Sequence, residues 1–436
     1  MNKIYLRTFG CQMNEYDSEL VRSILEKKGF QFIDDQNKAD IIMLNTCSVR
    51  ENANRKVIGL IHKIRHDLKG KAVLIGILGC MAADKKKELL SHKKLGVNFI
   101  AGPDSYKRLP ELIKETQKTK LKTFDYELSD TETYSNIYPK REEGINAWVA
   151  ISRGCNNFCT YCIVPYVRGR ERSRDFNGII EEVKKLAKEG YPQVTLLGQN
   201  VNSYQDGKKD FPDLINEISK IDKIKRIHFM SPHPKDFPDK LIKVIANNPK
   251  SMDHIHLPLQ AGSSRILKKM NRTYTQQAYL KLAEKIKKAC PSIAITTDII
   301  VGFPTEDEKD FNDTVTVMKK VQFDAAFIFK YSPRTGTVAT KKYKDDVTPN
   351  KKTKRIVQLN EMQKIISHKK NQKLVGTTQE ILVEFVDKKR GAGNFCGRTK
   401  TNKTVPFQAK NCKPKQFVNV KISSASAFGL KGNLAK

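Results

Sequence analysis

The sequence predicts an α/β protein that ends in a small β-barrel, and three observations lead to this prediction. Apolar runs of strand length alternate with helix-length segments over residues 1–118, as in a layered α/β sheet. The same alternation returns for six rounds from residue 147 to about residue 340, and short strands without helices fill the end of the chain. We therefore predict an N-terminal α/β domain (1–118), a linker (119–146), a core with a partial barrel of six βα units (147–372) and a C-terminal small β-barrel (373–436).

The elements of each part follow from hydrophobic period and segment length. In the N-terminal domain we predict buried parallel strands at Lys3–Gly10, Ala39–Thr46, Lys71–Gly79 and Val97–Ala101, and helices at Glu15–Lys28, Glu51–Lys69 and Tyr106–Glu115. In the core we predict strands at Ala147–Ser152, Gln193–Gly198, Arg226–Met230, His254–Leu259, Ile293–Ile300 and Phe323–Tyr331, and helices that include Gly178–Gly190 and Gln276–Ala289. A long basic helix, Asn350–Lys373, leads to barrel strands at Glu380–Asp387, Asn394–Thr399, Thr404–Gln408 and Phe417–Ser423.

The charge balance is strongly basic. Lys and Arg total 80 against 47 Asp and Glu, which gives a net charge of +33. This excess predicts a polyanionic partner such as nucleic acid, with lysines that are merely solvated as the alternative. No apolar run is long enough to span a membrane and the first residues do not resemble a signal peptide, so we expect a cytoplasmic protein without a membrane partner. Nine cysteines in a reducing compartment point to metal binding or catalysis rather than disulfides.

The first group of cysteines forms a C-x₃-C-x₂-C motif of Cys155, Cys159 and Cys162, directly after the first core strand. Active sites of βα-barrels lie at the C-terminal ends of strands, so this position suits catalysis. Three thiolates can hold three irons of a [4Fe–4S] cluster and leave the fourth iron open to bind S-adenosylmethionine. A zinc site is the alternative, but zinc ribbons favour paired C-x₂-C modules with four ligands, and no fourth cysteine or histidine is near.

The second group, Cys11, Cys47 and Cys80, is spread along the sequence, yet each cysteine comes at or just after the end of a predicted parallel strand. Parallel strands of one sheet end on the same edge, so we expect the three thiols to converge there. They would again suit a cluster with an open iron. The alternative is three buried core cysteines, which are common in proteins.

Two three-cysteine sites in this order, followed by a small β-barrel, resemble the radical-SAM methylthiotransferases over essentially the whole chain. The resemblance implies an N-terminal methylthiotransferase domain, a radical-SAM core and a TRAM barrel. It implies two [4Fe–4S] clusters and S-adenosylmethionine as cofactors, and all six cysteines as catalytic cluster ligands. It also suggests cofactor contacts from a set of core residues, for which tight turns at strand ends are the alternative: Tyr161, Gly198, Gln199, Asn200, Asp298, Gly302 and Glu306.

Within that family the sequence looks most like the MiaB type, which modifies N6-isopentenyladenosine at tRNA position 37, next to the anticodon. Gln12 follows the first cysteine, where the type that acts on threonylcarbamoyl-adenosine has Lys and the type that acts on a ribosomal-protein aspartate has Pro; these two types are the alternatives. The motifs that carry the likeness are Thr8–Glu19, Asn45–Ala53, Leu196–Tyr204 and His256–Ser263.

The family likeness also implies a mechanism and partners. A 5′-deoxyadenosyl radical from S-adenosylmethionine activates C2 of the adenine, sulfur from the N-terminal cluster is inserted, and a second S-adenosylmethionine supplies the methyl group. The implied partners are the tRNA anticodon loop and an electron donor such as flavodoxin or ferredoxin, with the protein acting as a monomer. The base must leave its stack to reach the site.

Two sets of basic residues are candidate phosphate contacts, with a solvated basic surface as the alternative. The arginines after the core motif could also meet the cofactor carboxylate. The candidates are Arg168, Arg170, Arg172 and Arg174 in the core, and Lys388, Lys389, Arg390, Arg398, Lys400 and Lys403 in the barrel. We expect Cys290, Cys396 and Cys412 to be structural thiols, and His254 and His256 to serve packing or hydrogen bonding.

Overall fold

The computed structural model describes residues 2–48, 51–92, 95–141, 145, 147–387, 391 and 393–435. Its N-terminal part is a six-stranded parallel sheet of order β2-β1-β3-β4-β5-β6. The strands are β1 (Lys3–Thr8), β2 (Gln31–Phe32), β3 (Ile41–Thr46), β4 (Leu74–Gly79), β5 (Phe99–Ala101) and β6 (Thr123–Asp125). The helices are α1 (Gln12–Glu26), α2 (Glu51–Asp67), α3 (Cys80–Asp84), α4 (Lys86–Ser91) and α5 (Leu109–Thr119).

Both faces of this sheet are covered by helices, and the side chains of β3 show it. Ile41 and Met43 belong to one hydrophobic cluster, whereas Ile42 and Leu44 belong to another on the opposite face. Successive side chains of a strand point to opposite faces, so a run that is apolar at every position is the signature of a strand buried on both sides.

The core is an open barrel made of two three-stranded parallel sheets, β7-β10-β13 and β14-β15-β16. A single bridge between Ile227 and Ser251 links the two sheets. The strands, including two short pairs outside the barrel, are β7 (Ala147–Ala150), β8 (Ser152–Arg153), β9 (Arg172–Ser173), β10 (Gln193–Leu197), β11 (Gln205–Asp206), β12 (Lys209–Asp210), β13 (Arg226–Phe229), β14 (His254–His256), β15 (Ala294–Val301) and β16 (Ala325–Lys330). The helices are α6 (Val164–Arg168), α7 (Phe176–Lys188), α8 (Phe211–Ser219), α9 (Asp239–Asn247), α10 (Ser264–Lys269), α11 (Gln276–Ala289), α12 (Glu308–Val321), α13 (Val338–Lys342) and α14 (Pro349–Gln372).

The C-terminal part is a closed five-stranded barrel of order β17-β18-β19-β21-β20. Its strands are β17 (Thr378–Val386), β18 (Asn394–Thr399), β19 (Thr404–Gln408), β20 (Phe417–Ala425) and β21 (Leu430–Leu434). Arg226 of the core, which is 2% exposed, fixes this barrel in place. It donates hydrogen bonds to the Arg398 and Glu380 carbonyls at 2.9 and 3.0 Å and forms an ion pair with the Glu380 carboxylate.

The N-terminal domain lies against the open edge of the core barrel. Helix α1 packs on β7, and Ala150 and Leu197 of the core join the hydrophobic cluster under that helix. This packing brings the edge of the N-terminal sheet to the mouth of the core barrel. None of the helices that the structure describes is both long and apolar enough to cross a membrane.

The predicted elements reappear with shifted ends. Three strands of the N-terminal sheet and the small barrel were missed, as were the two short pairs β8–β9 and β11–β12 outside the core sheets. β2 has only two residues, and β21 is a short segment that contains Gly432. β6 lies inside residues 119–146, so the polar segment predicted as a linker or surface excursion adds a strand to the N-terminal sheet. β6 is three residues long and its Phe124 is 52% exposed, so it lacks the apolar run that identifies a buried strand.

Candidate active site

The core cysteines lie on a loop between β8 and α6, at the mouth of the barrel. Cys155 and Cys159 are each 8% exposed and Cys162 is partly buried. The loop opens at Gly154, whose φ is +73°, and a Cβ there would lie 1.9 Å from the Arg170 carbonyl oxygen. Only glycine fits this backbone, because a side chain would meet both unfavourable dihedrals and the returning strand.

Two side chains donate hydrogen bonds to the sulfurs of this loop. Asn157 Nδ2 lies 3.5 Å from Cys155 Sγ, and Arg272 Nη1 lies 3.5 Å from Cys159 Sγ. Burial raises the pKa of Cys155, and burial together with the neighbouring Cys159 raises the pKa of Cys162 to about 12. Binding iron here would therefore release protons, as expected where thiolates become ligands.

The N-terminal cysteines converge at the carboxyl edge of the sheet, as the sequence predicted. Cys11 is the N-cap of α1, Cys80 is the first residue of α3, and Cys47 follows β3. Their strands, β1, β3 and β4, are neighbours in the sheet. A Cβ on Gly10 would lie 2.4 Å from Cys47 Cβ, so the loop that carries Cys11 passes directly against Cys47.

A buried amide network supports this edge. Asn14 Nδ2 donates to Asn45 Oδ1 at 3.2 Å, and Asn45 Nδ2 donates to the Asn14 carbonyl and to Ser18 Oγ, both at 2.9 Å. Asn14 Oδ1 in turn accepts from Cys11 Sγ at 3.3 Å. Both asparagines are 0% exposed, so their hydrogen bonds are made entirely within the protein.

The three N-terminal thiols differ in acidity. A hydrogen bond from Cys47 lowers the pKa of Cys11 to about 6, against the opposing effect of burial. Burial raises the pKa of Cys80, and the positive charge of Arg168 opposes that rise. Electrostatic coupling of this kind requires that the thiols lie close together.

The two cysteine groups are separated by one layer of side chains. Cys80 packs against Ile163 and Val167, which follow the last cysteine of the core loop. Arg168 Nε donates to Cys80 Sγ at 3.0 Å. Arg334 donates to the Ser48 carbonyl, next to Cys47, and its charge also acts on Cys162.

Both groups fit iron–sulfur clusters in the chemistry of their donors. Among the described residues, no three His, Cys, Asp or Glu side chains are arranged to hold one metal ion. A single ion needs all its ligands around one point, whereas each thiolate of a cluster binds a different iron. Three buried or partly buried cysteines with hydrogen-bond donors at their sulfurs match the second requirement.

A cavity of about 520 Å³ lies beside the core loop. Its lining includes Asn157, Glu171, Asn200, His233 and Lys235. Asn200 Oδ1 and His233 Nε2 are buried and make no hydrogen bond within the part of the chain that the structure describes. Burial, followed by the charge of a nearby arginine, lowers the pKa of His233 to about 2, and its Nδ1 accepts from the Lys235 amide. The neutral ring therefore carries its proton on Nε2.

This cavity offers complementary groups for an amino acid. Asn200 Oδ1 is a spare acceptor and Glu171 a nearby carboxylate, which suit an ammonium group. His233 Nε2–H is a spare donor and Lys235 a nearby cation, which suit a carboxylate. The methionyl end of S-adenosylmethionine carries both groups, so the residues present fit that cofactor.

The other residues predicted to contact the cofactor lie outside the lining of this cavity, in environments that differ from one another. Tyr161 is partly buried against a hydrophobic cluster. Gly198 directly follows β10, and a Cβ on it would lie 2.6 Å from Ser152 Oγ. Gln199, the next residue, is half-buried. Asp298 Oδ2 lies 3.2 Å from His256 Nε2.

Gly302 and Glu306 form a turn that is closed within the protein. The Gly302 amide donates to Glu306 Oε1 at 2.8 Å, and Arg355 Nη1 donates to the same oxygen at 2.7 Å. Burial raises the pKa of Glu306 to about 7 in spite of Arg355. A Cβ on Gly302, whose φ is +71°, would lie 2.4 Å from Lys352 Cγ, which explains the glycine.

Several predicted phosphate contacts are wrong. Arg168, Arg172 and Arg174 are between 1% and 7% exposed and pair with carboxylates at 2.8–3.0 Å. Arg170 remains on the surface, over the Phe158 ring at 4.4 Å. The sequence shows the positive charges of this segment but not the acids that another domain brings to them.

One of the barrel candidates, Lys403, is corrected in the same way. Lys403, with a side chain 13% exposed, pairs with Asp324 at 3.0 Å, so the predicted phosphate contact is wrong for this residue. Lys400 pairs with Asp253 at 3.3 Å, and Arg398 pairs with a neighbouring strand's carboxylate. The remaining predictions, Lys388, Lys389 and Arg390, lie outside the described residues, as do Val49 and Arg50 of the Asn45–Ala53 motif.

The cysteines and histidines outside the two sites have structural surroundings. Cys290 is the C-cap of α11, Cys396 is 7% exposed in β18, and Cys412 is a partly buried neighbour of the small barrel's hydrophobic cluster. His254 Nδ1 and His228 Nε2 lie 2.9 Å apart, and His256 bonds to Thr296. These contacts confirm that the histidines serve hydrogen bonding.

Sequence reasoning missed the residues that support the cysteines. Asn14 and Asn45 hold the N-terminal edge, Arg272 contacts a core sulfur, and His233 lines the cavity. One signal was present in the sequence: a glycine directly precedes Cys11, Cys80 and Cys155. No local pattern marks the buried asparagines, because their partners lie about thirty residues away.

Three family models match the chain, in the order of its three parts. Residues 3–102 match an uncharacterized protein family, UPF0004, residues 149–318 match the radical SAM superfamily, and residues 372–435 match the TRAM domain. Solved structures with a similar fold include the radical S-adenosylmethionine methyltransferase TsrM from Kitasatospora setae, at 14% identity and a TM-score of 0.58, covering 78% of this chain and 77% of that one. The cobalamin-dependent S-adenosylmethionine radical enzyme OxsB aligns with a TM-score of 0.55 at 12% identity, covering 83% of this chain and 61% of its own.

Close relatives extend over the full length. A tRNA-2-methylthio-N(6)-dimethylallyladenosine synthase of Bacteroides thetaiotaomicron is 44% identical, with 99% of this chain and 95% of the relative covered. Proteins of the same name from Acetivibrio thermocellus (44% identical, 100% of this chain and 91% of the relative) and Thermodesulfovibrio yellowstonii (42%, 99% and 98%) match similarly. The chain therefore belongs to the tRNA-2-methylthio-N(6)-dimethylallyladenosine synthase family of radical-SAM methylthiotransferases.

Proposed function

We propose that this protein is the enzyme that methylthiolates C2 of N6-isopentenyladenosine (dimethylallyladenosine) at tRNA position 37, next to the anticodon. The observation that carries the proposal is the contact between two three-cysteine sites, in which Cys80 packs against the segment that follows Cys162. A sulfur-inserting enzyme needs a radical generator and a sulfur carrier close to one substrate atom, because reacting groups must be held near contact to react efficiently.

The two sites take different roles in this proposal. Cys155, Cys159 and Cys162 hold the cluster that binds S-adenosylmethionine, and Cys11, Cys47 and Cys80 hold a second cluster. When bound, the cofactors supply the 5′-deoxyadenosyl radical, the sulfur and the methyl group. The protein supplies orientation: Asn157 and Arg272 fix the core sulfurs, while Asn14 and Asn45 fix the N-terminal edge.

The cavity beside the core loop orients the cofactor. Asn200 Oδ1 and Glu171 receive the ammonium group of the methionyl end, and His233 Nε2–H and Lys235 receive its carboxylate. Because burial lowers the pKa of His233 and its Nδ1 accepts from the Lys235 amide, the neutral ring presents its Nε2–H as a single donor to the cavity. Asp298, Gly302 and Glu306, on β15 and the turn that follows it, are the proposed contacts to the rest of the cofactor.

The protein shields the reaction and presents the substrate. The apolar layer of Ile163 and Val167 between the cysteine sites excludes water from the path between them, which protects a radical from side reactions. The adenine is extruded from the anticodon loop, where unstacking costs little. The net charge of +33 favours binding of the tRNA backbone.

The remaining partners follow from the chemistry. A low-potential one-electron donor such as flavodoxin or ferredoxin reduces the core cluster. The enzyme acts as a monomer in the cytoplasm, where tRNA is found and thiols stay reduced.

The test is nucleoside mass spectrometry after anaerobic reconstitution with iron and sulfide. The protein is supplied with reductant, S-adenosylmethionine and isopentenylated tRNA, and the expected product is the 2-methylthio nucleoside. The same tRNA without the isopentenyl group, tRNA with threonylcarbamoyl-adenosine, and the ribosomal protein serve as competing substrates. The Cys290→Ala variant controls for loss of a thiol outside both sites and should retain the product.

Two outcomes would overturn the proposal. Formation of 5′-deoxyadenosine without any change in the isopentenylated tRNA would leave a radical enzyme with another substrate. Methylthiolation of threonylcarbamoyl-adenosine or of the ribosomal protein in preference would reassign the substrate to one of the two related types.

A further inference from the structure

We propose that Arg168 is a positioning residue that sets the reduction potential of the N-terminal cluster through its hydrogen bonds to sulfur. This inference rests on the proposed function, since it requires a cluster on Cys11, Cys47 and Cys80. It goes further in giving a role in the N-terminal site to a residue that the core domain supplies.

The geometry of Arg168 is unusual for an arginine that only joins two domains. It is the last residue of α6, so it belongs to the core segment that follows Cys162. Its Nε donates to Cys80 Sγ at 3.0 Å, and its Nη2 donates to Asp17 Oδ2 at 2.9 Å and to Asn14 Oδ1 at 3.4 Å. The side chain is 3% exposed, so these contacts are made away from solvent.

One donor of Arg168 has no protein partner. Its Nη1 atom is buried and makes no hydrogen bond to any residue that the structure describes. An unpaired buried donor on a cation is destabilising unless a ligand satisfies it. A sulfide of a cluster held by the adjacent cysteines would be an acceptor of the required charge. Arg172 and Arg174 also have a buried unpaired nitrogen, but Arg168 differs from them because its guanidinium already contacts a cysteine sulfur.

The surrounding charges support the same conclusion. Asp17 already pairs with Arg153 at 2.9 Å, and Asp104 pairs with Arg172 at 3.0 Å and lies 3.9 Å from Arg153. In this buried group three arginines share two carboxylates, which leaves one positive charge in excess. An excess buried charge is destabilising unless it faces an anion, and the thiolates beside Arg168 supply one.

The consequence is a defined electronic effect. Hydrogen bonds and positive charge at cluster sulfurs stabilise the reduced, more negative form, so they raise the reduction potential. Removing the guanidinium of Arg168 should therefore make the N-terminal cluster harder to reduce. The core cluster, whose sulfurs contact Asn157 and Arg272 instead, should not change.

The experiment is a redox titration followed by electron paramagnetic resonance. The full chain carrying Cys155→Ala, Cys159→Ala and Cys162→Ala is reconstituted with iron and sulfide, so that only the N-terminal site is loaded. Arg168→Gln should shift the midpoint potential to a more negative value. Arg168→Lys, which keeps the charge but loses the forked donors, should shift it less and serves as the second variant if the Gln variant fails to fold.

A matched control comes from the same segment. Arg174 is 1% exposed and also reaches the N-terminal domain, through the Tyr16 hydroxyl at 3.0 Å. Among the described residues it makes no hydrogen bond or ion pair with a cysteine. Arg174→Gln should leave the midpoint unchanged. An unchanged midpoint in both Arg168 variants at full iron loading, or an equal shift in Arg174→Gln, would refute the role of Arg168. Absence of any cluster in the parent variant would instead refute the second cluster of the proposed function, and this inference with it.

Discussion

The two cysteine sites differ in how the chain builds them. The core site takes Cys155, Cys159 and Cys162 from one short loop, so its ligands stay near one another even before the barrel closes. The N-terminal site takes Cys11, Cys47 and Cys80 from the ends of three separate strands, so it exists only when the sheet is in register. One site depends on a loop and the other on the whole N-terminal fold.

This contrast explains why the two sites are supported by different kinds of residues. The core loop needs a glycine turn and two donors to its sulfurs. The N-terminal edge needs the buried network of Asn14, Asn45 and Ser18, together with an arginine from the neighbouring domain. Bringing distant residues together costs loop-closure entropy, and buried polar networks that are well satisfied specify such an arrangement.

The largest expected effect is the loss of a different reaction product when each cysteine site is removed. Replacing Cys155, Cys159 and Cys162 by alanine should abolish 5′-deoxyadenosine formation, because in the proposed function these residues hold the cluster that binds S-adenosylmethionine. Replacing Cys11, Cys47 and Cys80 should abolish the methylthio nucleoside but leave 5′-deoxyadenosine formation. Chromatography of both products after single-turnover reactions measures the split.

A loss of both products in both triple variants would contradict the proposed division of roles, because it would mean that the two sites do not act separately. Iron analysis gives the control: each triple variant should retain about half of the parent's iron.

The second prediction uses two glycines that precede a cysteine. Gly79→Ala places a Cβ 2.5 Å from Asn45 Oδ1, and Gly154→Ala places one 1.9 Å from the Arg170 carbonyl, both at positive φ. Each change should empty its own site and spare the other, because the clash lies beside one set of ligands. Iron content and product analysis would show the selective loss.

The chain offers matched controls for backbone strain alone. Gly29 and Gly190 also have positive φ, at +85° and +81°, but an added Cβ meets nothing within 4 Å. Alanine at either position should cost about 1 kcal/mol of stability and leave both clusters loaded. Cluster loss in these controls would attribute the effect to strain rather than to the clash.

Both cysteine groups could be predicted from the sequence, but from different signals. The local C-x₃-C-x₂-C spacing predicts the core site. The N-terminal site followed from the rule that parallel strands end on one edge, applied to runs such as Ile41–Thr46 that are apolar at every position. The supporting residues could not be predicted. In the sequence Asn45 is only a polar residue near the end of a strand, and its hydrogen bond to Asn14 becomes evident only in the folded structure.

The same limit explains the errors in the basic segments. Charge is visible in the sequence, but the acid that neutralises it is visible only after the domains pack. The sequence predicts a contact with phosphate or with the cofactor carboxylate for Arg168, and the structure buries this residue against Asp17 from α1. It predicts a phosphate contact for Lys403, which pairs with Asp324 of the core. Long-range ion pairs carry no local pattern, so a basic run predicts a polyanion partner for the protein better than it predicts which residues bind it.

A third prediction tests how strongly the N-terminal site depends on its fold. Asn45→Ala removes a side chain that is 0% exposed and leaves Asn14 Nδ2 without its acceptor. The expected cost is about 2–3 kcal/mol, the penalty for an unsatisfied buried polar group plus a small cavity. Urea unfolding of the iron-free protein measures it, and iron uptake at the N-terminal site should fall in parallel.

A matched change at the core loop sharpens the comparison. Asn157→Ala removes only a partly buried hydrogen bond of 3.5 Å to Cys155, so its cost should be below about 1 kcal/mol. Equal costs for the two variants would contradict the view that the N-terminal site depends more on its asparagine network than the core loop depends on Asn157.

The smallest expected effect is on the pH dependence of stability, which should be stronger for the core than for the N-terminal domain. His228 and His254 lie side by side inside the core. Burial, with the nearby charge of Arg398, lowers the pKa of His228 from 6.5 to about 4, and burial also lowers that of His254. The folded core therefore keeps these rings neutral while the unfolded chain takes up protons, so the stabilisation is complete above pH 6.5 and is lost as the pH falls toward 4. For His228 alone the free energy of unfolding should drop by about 1.5 kcal/mol between pH 6.5 and pH 5.

Urea unfolding of the iron-free chain across this range, repeated with His228→Gln, tests the assignment, because the variant should show a shallower pH dependence. The surface variant His66→Gln, from the N-terminal domain, should overlay the parent curve. A parent curve that is flat between pH 6.5 and pH 5 would mean that the buried pair takes up a proton without cost, and the core would then be no more sensitive to acid than the N-terminal domain.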